Sequence, residues 1–388
     1  MILHNVRLAD SGKVVNIGIN GSKIIGVGPD EITDDSLQLY FEDSIIFPGL
    51  INSHDHLDFN LFPQLGNRIY NNYTEWGTYI HKEFKYEINA VLGIPQRLRT
   101  LWGIYKNLLC GVTTVVNHGE QLFVAHALID IIEDTHDLHS AAFEKHWKIK
   151  LNNPFNRKLP VVIHTGEGTD EQAEKEIDSL ISWNKLARDL IGIHAVAMTR
   201  EQAPYFKAIV WCPVSNYFLL DRTAPIQKLK PFTNVLFGTD STLTGGWNIW
   251  DHIHTARNTG MLKDEELYQS LNKIAANVWK TNSGEIMAGK YADLVIAKAK
   301  GQTGKYEAFF AAQAADIQLV IHKGNIRLFD QGLLPALAAE LKGKPFSLIK
   351  LGDAYKYVEG DIGSLILFIQ SYLPEAVFPV TFIHHQIL

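Results

Sequence analysis

The sequence is poor in cysteine, with only Cys110 and Cys212 in 388 residues. That excludes a disulfide framework and sets the expectation of a reduced, cytoplasmic protein. No run approaches the roughly 18 uninterrupted apolar residues of a membrane span, and the start, MILHNVRLAD, lacks the basic-then-apolar pattern of a secretory signal. Positive charge is also short: 36 Lys and Arg against 42 Asp and Glu leave a net charge of −6, which argues against a nucleic-acid footprint. The expected partner is a small molecule, with no nucleic acid and no membrane; a homo-oligomer is left open. Two catalytic signatures are missing as well. There is no G-x-S-x-G elbow, and no P-C-x-x-C accompanies an H-x-E, so serine hydrolases of that type and the cytidine-deaminase zinc site are excluded. What is present is a globular balance, 46% hydrophobic and 20% charged, and 16 histidines.

The first 46 residues read as short strands at 2–8, 14–19 and 23–27, with Asn20-Gly21 supplying a tight hairpin. A similar texture returns at 292–297, 317–321 and 326–329. Two small β modules, or one sandwich made from both chain ends, fit these segments equally well. The length between Phe47 and Ser283 suits one (β/α)8 TIM-like barrel, of α/β class. Apolar runs at 45–51, 112–116, 161–164, 191–194, 209–212 and 235–240 read as strands buried on both faces, alternating with amphipathic stretches such as 170–183. The interval 117–161 is crowded, with room for little more than one βα unit of about 30 residues. Residues 139–143 are the candidate fourth strand. The expected organisation is therefore 1–46 and 284–330 as β-sandwich, 47–283 as barrel, and 331–388 as a C-terminal extension with helix-like stretches at 333–341 and 362–373.

The expected strand ends carry groups that bind metals or move protons. The first gives Ser53-His54-Asp55-His56, in which His54 and His56 share a face of an extended chain and Asp55 points away. Others end in His164-Thr165-Gly166-Glu167, in His194 and in Gly238-Thr239-Asp240. In a barrel these ends meet at one face, where the active sites of this architecture lie. Imidazoles and a carboxylate so gathered suit Zn2+ with an open position for water, Fe2+ or Mn2+ being alternatives. Any one of these histidines alone would be an ordinary core residue. Two decoys are set aside. His252 and His254 repeat the H-x-H spacing inside a helix, where i and i+2 diverge, and Gly284 to Lys290 resembles a phosphate loop but continues with Tyr291.

Phe47-Pro48-Gly49 followed by His54-Asp55-His56, the Gly111-Val112-Thr113-Thr114-Val115 strand, His164-x-x-Glu167, Cys212-Pro213-Val214-Ser215-Asn216, Gly238-Thr239-Asp240 and the return at 284–295 resemble the amidohydrolase superfamily. Within it they are similar to the branch of cytosine, guanine and S-adenosylhomocysteine deaminases and triazine hydrolases. The resemblance implies a single discontinuous β-sandwich, and one metal ion, most simply Zn2+, held by His54, His56, His164 and Asp240. It also implies catalytic roles for Glu167 as proton shuttle, His194 as holder of water or substrate, and Asp240 as base. His118, Trp76 and Asn216 are the candidate substrate contacts. Binuclear relatives carry a bridging lysine or glutamate on the fourth strand; Glu144, Lys145 and Lys148 are nearby. The expected activity is hydrolytic deamination of a nitrogen heterocycle by metal-activated water. Hydrolysis of an amide or another C–N bond, and a non-catalytic metal-stabilised binding protein, are the alternatives.

Overall fold

The computed structural model describes residues 1–30, 36–120, 124 and 126–387. The chain begins with β1 (Ile2–Leu8), β2 (Val14–Asn20), β3 (Lys23–Gly28), β4 (Gln38–Tyr40) and β5 (Ser44–Pro48). Eight barrel strands follow: β6 (Leu50–Asp55), β7 (Val112–Asn117), β8 (Asp130–Ile132), β9 (His136–Ser140), β10 (Val161–Thr165), β11 (Leu190–His194), β12 (Ala208–Trp211) and β13 (Asn234–Phe237). The chain closes with β14 (Leu294–Lys298), β15 (Ile317–His322), β16 (Asn325–Asp330), β17 (Pro345–Leu351), β18 (Ala354–Glu359) and β19 (Val380–Ile387).

The two ends of the chain build one sheet. Its order runs β19-β17-β18-β16-β15-β14-β5-β1-β2-β3, with β4 also on β1. The joint is antiparallel pairing of β5 with β14, Phe47 opposite Val295 and Ile45 opposite Ala297. The alternative of two separate modules is thereby removed. Residues 331–388, set apart in the sequence reading as an extension with helices, instead add β17, β18 and β19 to this sheet. Only Leu334–Leu337 of the first expected helix is α-helical, whereas Ile362–Tyr372 forms as expected. The run 45–51 also divides: it breaks at Gly49, so β5 lies in the outer sheet and β6 opens the barrel.

The barrel strands are parallel, and apolar on both faces because each is covered inside and out. At the seam between last and first strands, the Thr239 and Asp240 amides donate to His54 O, both at 3.1 Å. The crowded interval resolves without a helix between β8 and β9, while a short helix, Trp147–Leu151, follows β9. β8 pairs with β7 and β9 with β10, yet only residues 133–135 separate β8 from β9. Neighbouring parallel strands need a crossover of about a dozen residues. β8 and β9 are therefore not paired with each other, and no helix lies between them. The fourth strand ends at Ser140, earlier than 139–143 suggested. Among the described residues, no helix is long and apolar enough to cross a membrane.

Candidate metal centre and active site

His54 is wholly buried at the end of β6, and neither of its ring nitrogens has a hydrogen-bond partner among the described residues. Buried polar atoms are rarely left so. Its Nε2 and that of His56 each lie 3.6 Å from Asp240 Oδ1. Two donor sets, His54 with His164 and His194, and His54 with His56 and Asp240, each hold their donor atoms within 4.8 Å of one another. The donors are borderline imidazole nitrogens and a hard carboxylate oxygen, a chemistry that fits a divalent ion of the zinc type. Each ligand candidate has an orienting partner. The His164 Nδ1–H donates to His139 O at 2.8 Å, which turns Nε2 to the cluster. Asp240 Oδ2 accepts from Ser215 Oγ and Thr244 Oγ1, both at 2.8 Å, and Oδ1 accepts from the Ser241 amide at 2.8 Å.

The rim is strained where it carries these groups. His194, Ala195 and Asp240 have φ of 71°, 53° and 58°, left-handed values unusual for residues with a side chain and worth about 1–3 kcal/mol each. Gly166 takes φ 60° and lets the chain turn from His164 to Glu167. Gly238 lets β13 approach β6: a Cβ there would lie 2.9 Å from His54 Cβ and 2.8 Å from Val210 Cγ1.

Burial dominates the electrostatics. It pushes Glu167 well above the usual carboxylate range, reinforced by the charges of Asp240 and Glu176. Burial likewise brings His56 down to about 3 and His194 down to about 4. For Asp240 burial acts upward, but the facing His54 ring and the charges of His54, His56 and His194 outweigh it and hold the carboxyl well below its ordinary value. These effects favour the protonated form of Glu167, the neutral forms of His56 and His194, and the ionised form of Asp240. Glu167 Oε1 lies 3.5 Å from His194 Nε2.

His194 is held by a polar chain behind it. Asn216 Nδ2 donates to Thr223 Oγ1 at 3.1 Å, which leaves Oδ1 to accept from His194 Nδ1–H at 2.8 Å. A neutral His194 so fixed presents a bare Nε2, able to ligate a metal or accept a proton and unable to donate. Asn216, expected as a substrate contact, is wholly buried, does not line the cavity and accepts from His194 Nδ1. Trp76 does line the cavity, but its indole N–H is used by Leu65 O at 2.7 Å, leaving the ring face. His118 lies behind the cluster, its ring 4.6 Å from that of His164, and opens onto a neighbouring chamber. The helical decoys stand apart: His252 and His254 bond Gly246 O and Phe310 O.

The cavity over the cluster measures about 560 Å³ and is walled by Phe59, Phe62, Trp76, Ile80 and Phe143 among others. Sequence reasoning missed several supporting residues. Ser215 lies inside the quoted Cys212 to Asn216 run, and Thr244 four residues beyond Asp240; both positions were readable. Below the cluster, Lys106 Nζ bonds Asp55 Oδ2 at 3.0 Å and Asn60 Oδ1 at 2.9 Å, both charges buried. Asn52 and Asn107 complete that network through Asp55 and Thr239. Its only trace in sequence is Gly103, Lys106 and Asn107 at helical spacing inside the apolar helix Gln96–Leu109.

A parallel barrel with an imidazole and carboxylate cluster at the carboxyl ends of its strands defines a hydrolase of the metal-site barrel class. Residues 151–327 match the amidohydrolase family, and the chain carries an amidohydrolase family domain. Over 350 residues it is 25% identical to the 5′-deoxyadenosine deaminase of Methanocaldococcus jannaschii, covering 74% of this chain and 83% of that protein. It is 23% identical over 427 residues to the 5-methylthioadenosine/S-adenosylhomocysteine deaminase of Pyrococcus furiosus, covering 90% of this chain and 96% of that one. Among solved structures, a triazine hydrolase variant aligns with TM-score 0.72 at 16% identity, covering 96% of this chain and 99% of that one. An adenosine deaminase from Xanthomonas campestris with bound zinc aligns with TM-score 0.69 at 15% identity, covering 97% and 98%. These structures share its fold.

Proposed function

We propose that the protein removes an amino group, as ammonia, from a nitrogen heterocycle of the purine nucleoside kind by hydrolysis, with a zinc-type ion held by His54, His56, His164 and Asp240. The ion's contribution when bound is to bring the pKa of a water toward neutrality. His194 Nε2 points into the same cluster and serves as a further ligand or as a proton acceptor. Asp240, ionised and fixed by Ser215 and Thr244, takes a proton at its free oxygen lobe. Glu167, whose burial favours its protonated form, gives its proton to a ring nitrogen, recovers one from the added hydroxyl and passes it to the departing amine, and the water proton taken by Asp240 then restores the acid. The aromatic walls exclude water and accept a planar ring.

Glu167 carries this reading. A buried acid 3.5 Å from His194 beside the donor cluster, pushed by burial toward its neutral form, is what proton transfer needs, and a purely structural metal site has no use for it. The names of the relatives support the amine of an adenine nucleoside as the leaving group. The test is ammonia release from adenine nucleosides by zinc-loaded protein and by Glu167→Gln. The variant is expected to keep its zinc and its fold while kcat falls by about 100-fold or more. Turnover at the wild-type rate sinks the role.

A further inference from the structure

A second chamber of about 540 Å³ meets the catalytic cavity along His56, Phe59, Leu92 and His139, on the side of β8 and β9. Its character differs from the apolar first chamber. Four carboxylates line it, Asp58, Glu120, Asp137 and Glu144, against one guanidinium, Arg99. That guanidinium is buried and paired with Asp58: Nε donates to Ile94 O at 3.0 Å, and Nη1 to Asp58 O at 2.8 Å and Asp58 Oδ2 at 3.2 Å. Glu144 is paired with Lys150. Asp137 and Glu120 accept from Thr135 and Gln96, and neither faces a lysine or arginine at ion-pair distance among the described residues. Among the described residues, no lysine or arginine lines the first chamber.

A second observation points to a ligand here. His118 is 3% exposed and lines this chamber, and its Nδ1 has no hydrogen-bond partner among the described residues, the nearest carboxylate oxygen being Asp137 Oδ1 at 3.9 Å. A buried nitrogen left so is satisfied when a ligand or water reaches it. The surrounding groups are mostly acceptors, so the complementary ligand brings donors. An anion would meet Asp137 and Glu120, and the one cation lining the chamber among the described residues, Arg99, is already paired with Asp58.

We propose that this chamber holds the arm of the substrate, and that the arm is a hydrogen-bond donor, hydroxyl or ammonium, while phosphate and carboxylate arms are excluded. The inference rests on the deamination reading for the heterocycle in the first chamber, and the experiment separates the two. Adenosine, 5′-amino-5′-deoxyadenosine and adenosine 5′-monophosphate present one heterocycle with hydroxyl, ammonium and phosphate arms. Binding of each to the zinc-loaded protein is measured by calorimetry, and ammonia release is followed in parallel. The phosphate is expected to bind at least about tenfold more weakly than the other two. In the Glu120→Gln, Asp137→Asn double variant the gap is expected to close to about threefold or less. Phosphate binding as tight as adenosine, an unchanged gap in the double variant, or binding of none of the three overturns the inference. Ranked binding without ammonia release leaves the chamber standing and removes the deamination reading; ammonia release without the ranking does the reverse.

Discussion

Replacing Lys106 by methionine tests whether the buried network beneath the metal cluster holds the barrel seam together. The side chains of Lys106 and Asp55 are 2% and 0% exposed and their charges lie 3.0 Å apart. At an effective dielectric of about 20 the attraction at that distance is about 5.5 kcal/mol. Removing the cation leaves an uncompensated buried carboxylate, which costs about 3–5 kcal/mol. Three amides still donate to Asp55, from Asn60 and Asn107 at 2.8 Å and Asn52 at 3.3 Å, so the low end of that range is expected. Urea denaturation followed by tryptophan fluorescence reads the loss as a lower midpoint at unchanged slope. Adding Asp55→Asn removes the stranded charge and should return about 1–2 kcal/mol. A loss below about 1 kcal/mol, or a double variant no more stable than the single one, refutes the reasoning.

Asn216→Ala strands the buried Nδ1–H of His194 and should lower kcat/KM by about 10- to 100-fold, as loss of an orienting partner does at metal sites; unchanged kinetics would remove Asn216 as a positioning residue. Stripping the protein with a chelator should lower its melting temperature, and zinc at about 100 times its Kd should restore about 2.7 kcal/mol; a melting curve indifferent to zinc contradicts the metal centre. Glu176 accepts from Tyr73 OH at 3.0 Å and the Ala141 amide at 3.2 Å, and burial raises it to about 7 against those hydrogen bonds. Because the fold favours its neutral form, its contribution to stability is full below the ordinary glutamate range and is lost as pH rises through about 7. Wild type should therefore exceed Glu176→Gln in melting temperature by more at pH 5 than at pH 8, and a constant difference counts against the assignment.

The gathering of donor groups at the barrel rim was legible because strand ends put polar side chains at fixed places in the sequence. His54, His56, His164, His194, Glu167 and Asp240 each follow a short apolar run, and alternation alone turns Asp55 away from its neighbours. The supporting network was not legible, because Lys106 meets Asp55 across 51 residues and Thr239 meets Asn52 across 187. Such pairs form only after the barrel closes, and a lysine in a helix reads first as a solvated one. The outer strands β17, β18 and β19 were missed for a related reason. They take their place through pairing with β16 and with one another, and the segment 334–341 has helical texture without enough tertiary support to extend past Leu337. The position of Asn216 shows the limit of reading a motif by its members: in one run, Ser215 holds Asp240 and Asn216 holds His194, and neither faces the cavity.

The shortened wall explains how the barrel combines an intact cluster with an altered approach to it. The proposed metal and proton-transfer groups come from the ends of β6, β10, β11 and β13; β10 to β13 share one continuous ladder, and the Thr239 and Asp240 amides tie β13 to His54 O at the end of β6. The stretch without a crossover helix, between β8 and β9, contributes none of them. Losing a helix there leaves His54, His56, His164, His194 and Asp240 on their own strands with their own orienting partners. What it changes is the flank, where Asp137 and His139 on β9 and His118 after β7 border the second chamber. Variation in this part of the wall therefore alters which substrate arm is accepted while the bond-breaking geometry stays fixed. That separation predicts that Asp137→Asn shifts the preference among arms with little effect on zinc content, whereas Asp240→Asn abolishes both zinc retention and turnover. Loss of zinc from Asp137→Asn would show that the two parts of the rim are coupled.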